Sequence, residues 1–173
     1  MVKHKSLDSR NLAILLIDMQ ERFLEYYSKK EVNSLVKAQE GVLDMCAVKN
    51  IPVAIIETFP FGETINPLKN KIKSIPRNKL FSKESLNGFD NPNLQYKLRK
   101  WQTKNIFLMG VYASQCVMET ALGALKNKKM HIFTSEDVID CFPDYGGYES
   151  KVRWYNKKGM LFNTHKDFYK FLK

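Results

Sequence analysis

Neither a G-x-G-x-x-G turn nor a G-x-x-x-x-G-K-[ST] loop occurs in the sequence, which removes the usual glycine-rich grips for dinucleotides and triphosphates. No apolar run approaches the roughly 18 residues that a membrane span needs, since the longest ones stop at Asp18, Glu57 and Gly110. Cysteine is scarce and odd in number, and the wide spacing of Cys46, Cys116 and Cys141 does not describe a disulfide framework. With no N-terminal apolar segment resembling a signal peptide, a reducing, cytoplasmic setting is expected. The three histidines, His4, His131 and His165, fall in a polar tail, at a strand start and near a terminal helix, and read as surface or packing residues rather than one metal site.

What is present suits one core. Of 173 residues, 44% are hydrophobic, and 11 Phe, 8 Tyr and 2 Trp supply enough bulk to fold without metals or disulfides, so a single domain over residues 1–173 is expected. Lys and Arg number 28 against 18 Asp and Glu, a formal charge of +10, with the excess concentrated after Asp90. The lysines fall at turns and on polar helix faces, and no zinc finger, KH loop or basic helix joined to heptads appears, so no nucleic-acid partner is expected.

Periodicity sets the fold class. LAILLI, Leu12 to Ile17, is continuously apolar and ends at Asp18, the signature of a buried parallel strand with a carboxylate at its tip. Leu35, Val36, Gln39, Val42, Leu43 and Cys46 repeat at helical spacing within Glu31 to Lys49, and IPVAIIET follows as a second strand. Pro60, Gly62 and Pro67 then interrupt the chain, and about 30 residues read as loop-rich before a helix capped around Asn91 and running to about Trp101. NIFLMG and MHIFT are further strands flanking a helix from Cys116 to about Lys128. A helix over Tyr148 to Lys158, a strand over Met160 to Asn163 and a helix over His165 to Leu172 close the chain. The alternation predicts an α/β domain, a three-layer, doubly wound, mostly parallel sheet of Rossmann-like type.

In such sheets ligands bind beyond the carboxyl ends of the strands. Asp18, the segment Glu57-Thr58-Phe59 and the segment Gly110-Val111-Tyr112 are therefore expected to converge. Cys116 falls where a strand turns into a helix, and the positive helix end is expected to lower its thiol pKa. A carboxylate beside a thiol can accept its proton and produce a nucleophile. Asp18 by itself reads equally as a cap for a helix starting near Gln20 or Glu21, and Cys116 by itself as a small buried hydrophobe.

Three segments, LLIDMQERF around Asp18, FSKESLNGF from Phe81 to Phe89 and GVYASQCVMETA around Cys116, resemble the signatures of isochorismatase-like cysteine hydrolases, a superfamily that includes nicotinamidases. The resemblance runs from about Leu12 to Ile139. It implies an isochorismatase-like fold, a catalytic triad of Asp18, Lys83 and Cys116, and hydrolysis of a carbon–nitrogen bond in a small amide or related acyl compound through a thioester. Lys79 is the rival for the lysine. The backbone N–H groups of Tyr112 and Cys116 correspond to the oxyanion donors, and Val111-Tyr112 to a cis peptide. A small-molecule substrate and a homo-oligomer are implied, and no cofactor.

Two departures from the family pattern bear on substrate. Ala113 stands where a threonine is common, and Glu57-Thr-Phe-Pro-Phe-Gly-Glu63 replaces the Asp-x-His metal motif of nicotinamidases, so no metal site is expected. These leave open a noncatalytic ligand-binding or scaffold protein on the same fold. Enol-ether hydrolysis of isochorismatase type is a further alternative, disfavoured because members with that activity generally lack the cysteine. Phe23, Phe59, Phe61, Phe89 and Tyr112 are candidates for an apolar pocket beside the strand ends, with core packing as the competing reading of each. Tyr145-Gly146-Gly147-Tyr148 reads as a rim loop, a subunit contact or a simple turn.

Overall fold

A computed structural model describes residues 7–126, 130–142 and 148–173, with no side-chain description for 148–152. Seven strands and seven helices are present among the described residues. Strand β1 (Leu12–Ile17) is buried at every position, and β4 (Asn105–Val111) likewise, because each has neighbours on both sides and helices over both faces. Around them lie β2 (Val53–Thr58), β3 (Asn78–Lys83), β5 (His131–Ser135), β6 (Ile139–Asp140) and β7 (Met160–Phe162). The sheet order is β3-β2-β1-β4-β5-β7, with β6 pairing the end of β4, and every ladder is parallel. This is the expected α/β, Rossmann-like architecture.

Helix α1 (Glu21–Leu24) is a single turn, and α2 (Lys29–Lys49) begins at a capping box in which Ser28 Oγ accepts from the Glu31 N–H and Glu31 accepts from the Ser28 N–H. Its apolar stripe is the expected one, and Gln39 within it is fully buried with Nε2 donating to the Val138 carbonyl at 2.9 Å. Helices α3 (Asn66–Ile72) and α7 (His165–Phe171) pack beside α2. Helix α4 (Pro92–Lys100) starts at an Asn91 cap, and with α5 (Cys116–Lys126) it meets the 3-10 turn Gly88–Asp90. Helix α6 (Tyr148–Lys158) leads into β7. No helix among the described residues is long and apolar enough to cross a membrane.

One expectation fails here. The supposedly loop-rich stretch contains both α3 and β3. Pro67 lies in the first turn of α3, where its missing N–H takes nothing from the helix. Strand β3 is an edge strand exposed at four of six positions, so it shows no apolar run. Residues 1–6, 127–129 and 143–147 lie outside the described residues, and with them His4, the last residues of the expected α5 and most of the Tyr145–Tyr148 loop.

The sheet order reverses between β1 and β4, and that junction is tight. Ile17 and Gly110 are register partners, Gly110 has φ 135°, and a Cβ there would lie 2.0 Å from the Ile17 carbonyl oxygen. Gly110→Ala is expected to cost about 3 kcal/mol or more from strain and overpacking, a fall of roughly 6–12 °C in the thermal midpoint. A melt within 2 °C of wild type would count against the close approach.

Candidate active site

Three strands end around the reversal point. Asp18 follows β1, adopts a left-handed backbone (φ 52°) that turns the chain out of the sheet, and is 1% exposed. It does not cap α1, whose cap position is Gln20 with no side-chain hydrogen bond to the helix. Lys83 is the last residue of β3, with its side chain 1% exposed. Cys116 opens α5, one short turn after β4. Lys83 Nζ lies 2.8 Å from Asp18 Oδ2, and the Cys116 thiol interacts with both groups. Lys79, the rival lysine, is exposed farther back on β3.

A fourth side chain joins the cluster. Thr58, the last residue of β2, accepts a hydrogen bond from Lys83 Nζ at 2.6 Å and donates one to Asp18 Oδ1 at 2.9 Å. A second Lys83 donor goes to the Ser85 carbonyl at 3.1 Å. Asp18 Oδ2 therefore has the lysine charge beside it but no aligned hydrogen bond from a protein donor. That oxygen is the one available to receive a proton. Sequence reading placed Thr58 at a converging strand end without giving it a role, because a threonine ending a strand carries no signal beyond β propensity.

The thiol's ionisation differs from the expectation based on helix position. Its pKa is pushed up to about 12, first by burial, then by the negative charge of Asp18, with Lys83 opposing. Desolvation and a neighbouring carboxylate outweigh the helix end at this site. The resting pair is accordingly a thiol beside a carboxylate, and thiolate forms only as its proton leaves for a nearby base.

Beyond the thiol, the Val111–Tyr112 peptide is cis, and the N–H groups of Tyr112 and Cys116 donate to no acceptor within the described protein. The Ala113 N–H is committed to the Asp140 carbonyl at 2.7 Å, and the Ala113 carbonyl accepts from the Tyr155 hydroxyl at 2.8 Å. Tyr112 donates through its own hydroxyl to the Phe23 carbonyl at 2.8 Å, which ties the β4 end to α1.

Aromatic rings gather around Tyr112. Phe23 meets Phe61 edge-on at 5.4 Å and Tyr112 at 6.0 Å. Tyr27 stacks on Tyr112 at 6.2 Å, and Phe142 meets it at 5.2 Å. Tyr27 and Phe142 were not singled out in the sequence, since both lie outside the recognisable motifs. Phe59 and Phe61 are 63% and 44% exposed on the loop after β2, whereas Phe89 is 2% exposed and packs against α5 at Gly123. Among the described residues, no group of three or more His, Cys, Asp or Glu side chains is placed to hold a metal ion. His131 is exposed on β5, and His165 pairs through Nδ1 with Asp137 at 2.6 Å. Cys46 and Cys141 are buried, and no disulfide joins the three cysteines.

Comparison with known proteins locates this arrangement. A family profile described as the isochorismatase domain matches residues 12–139. Isochorismatase family protein 2A of Dictyostelium discoideum is 25% identical over 127 residues, covering 70% of this chain and 62% of that protein, so the match spans less than two thirds of its length. Among solved structures, the YcaC gene product of Escherichia coli, described as an octameric hydrolase of unknown specificity, superposes with a TM-score of 0.82 at 20% identity, covering 99% of this chain and 84% of that one. MAR1 ribonuclease of Caenorhabditis elegans superposes with a TM-score of 0.81 at 18% identity, covering 93% and 80%.

Proposed function

The chain belongs to the isochorismatase domain family, and from that premise we propose that it is a cysteine hydrolase cleaving a carbon–nitrogen bond of a small amide or related acyl compound. The observation that carries the reading is the buried contact of Asp18, Lys83 and Cys116 at the reversal point of the sheet. Asp18 takes the thiol proton through Oδ2 as sulfur attacks the carbonyl carbon. The N–H groups of Tyr112 and Cys116 receive the developing oxyanion. Asp18 returns the proton to the leaving nitrogen, the amine departs, and a thioester remains on Cys116. Asp18, again a carboxylate, takes a proton from water as the water attacks the thioester. The acid is released and the proton returns to sulfur.

Phe23, Phe61 and Tyr112 supply an apolar wall for the acyl group in this reading. Phe59 contributes from the rim and Phe89 supports from behind. Likeness of fold to an octameric hydrolase supports a homo-oligomer in this reading. The test is a hydrolysis screen over small amides and acyl compounds, read by product identification and by mass spectrometry of a trapped Cys116 adduct. A Cys116 acyl adduct with release of amine is expected. Reversible binding without turnover would instead favour a noncatalytic protein. Single-stranded RNA belongs in the same screen, because a ribonuclease shares this fold, and it is expected to stay intact.

Asp18→Asn separates the base from a structural carboxylate. The negative charge that helps hold the proton on sulfur is gone, so Cys116 ionises at lower pH. Alkylation of Cys116 at about pH 10 is expected to be at least as fast as in wild type. Turnover falls by about 10²- to 10⁴-fold for want of a base. Parallel loss of both would point to simple misfolding.

A further inference from the structure

The Thr58 hydroxyl occupies a position that an ion pair does not require. Lys83 reaches Asp18 Oδ2 directly at 2.8 Å, yet one of its donors is spent on Thr58 Oγ1 at 2.6 Å, and Thr58 in turn donates to the other carboxylate oxygen at 2.9 Å. The direction of this chain is fixed. The ammonium has only donors, so the hydroxyl must accept from it and send its single proton to Oδ1. Oδ1 is thereby occupied, and Oδ2 is left for the thiol.

The backbone of Thr58 is clamped from the other side. Gln20, fully buried two residues after Asp18, accepts from the Thr58 N–H at 2.9 Å and donates to the Thr58 carbonyl at 3.0 Å and to the Gly62 carbonyl at 2.8 Å. One short segment, Asp18-Met-Gln20, thus holds both the carboxylate and the residue that orients it. We infer that Thr58, clamped by Gln20, is a positioning residue that holds the Asp18 carboxylate turned with Oδ2 toward Cys116. The inference rests on Asp18 acting as the base.

The sign of the effect follows from the donor. Thr58 gives its hydrogen bond to Oδ1, so without it the carboxylate is no longer held in one orientation, Oδ2 is aimed less often at the thiol, and proton transfer from sulfur slows. The other ionisable groups facing Asp18 are Lys83 from β3, Cys116 from α5 and Tyr112 after β4. None of them changes in the variants.

The experiment is the pH profile of Cys116 alkylation by iodoacetamide, read on the Cys116 peptide by mass spectrometry, for wild type, Thr58→Val and Thr58→Ser. The readout needs no substrate, so it stands apart from whether amides are turned over. In Thr58→Val the reaction at pH 7 is expected to be about tenfold slower than in wild type, with the gap closing by about pH 10, where hydroxide takes the thiol proton without Asp18. Thr58→Ser restores the wild-type rate at pH 7. Thr58→Cys, similar in size and a far weaker donor, is expected to slow as Thr58→Val does and serves if the valine variant fails to fold. A wild-type rate at pH 7 in both, or a loss equal at all pH values that serine does not restore, would overturn the inference.

Discussion

Cys116→Ala is expected to lower turnover to background, a loss of at least about 10⁴-fold, while the protein keeps its native melt. In the proposed reaction the sulfur is the atom that bonds to the acyl carbon, and neither remaining cysteine can replace it, because Cys46 is buried in α2 and Cys141 follows β6. The structural effect is small by comparison. Cys116 is 6% exposed, and alanine keeps its Cβ, so the site loses one sulfur from a wall that Asp18 and Lys83 share. The ion pair behind it stays intact. Kinetics with any substrate found in the screen, beside a thermal melt, check both halves. Activity above a tenth of wild type would remove Cys116 as nucleophile.

The second large effect is on stability and activity together. Lys83→Met is expected to destabilise the fold by about 3–5 kcal/mol, roughly 6–20 °C in thermal midpoint, and to reduce turnover at least about 100-fold. Lys83 and Asp18 are each 1% exposed, so removing the ammonium leaves a buried carboxylate whose side-chain donor among the described residues is Thr58. Lys83 also opposes the rise in the thiol's pKa, and without it sulfur holds its proton more firmly. Pairing the change with Asp18→Asn removes the uncompensated charge. The double variant is therefore expected to be more stable than Lys83→Met alone while remaining inactive. Strict additivity of the two stability losses would show that the pair does not interact.

The contrast between these variants follows from the fold. β1, β2 and β3 lie side by side and end at Asp18, Thr58 and Lys83, while α5 begins at Cys116 across the reversal from β1. Thr58, Lys83 and Cys116 stand on regular elements and Asp18 directly follows one, so sheet register sets where the four groups meet. That is why Gly110, which carries no chemistry, matters to the site: it lets β4 lie close against the turn that aims Asp18.

By itself the sequence determined the elements whose apolar pattern is complete, because burial on both faces leaves a continuous run in β1, β2 and β4 and a helical stripe in α2. It also determined the residue types at the strand ends, since Asp18 and Cys116 interrupt those runs with groups that an apolar core would not hold without a reason. Strand β3 and helix α3 escaped because an exposed edge strand needs few apolar residues and a proline opens a helix as readily as it ends one. Only the tertiary structure decided that Lys83 rather than Lys79 meets Asp18, that Thr58 and Gln20 complete the cluster, and that the thiol pKa rises instead of falling. The physical reason is common to all three. Desolvation and hydrogen-bond direction depend on which distant segments meet, and no local spacing in the chain records that meeting.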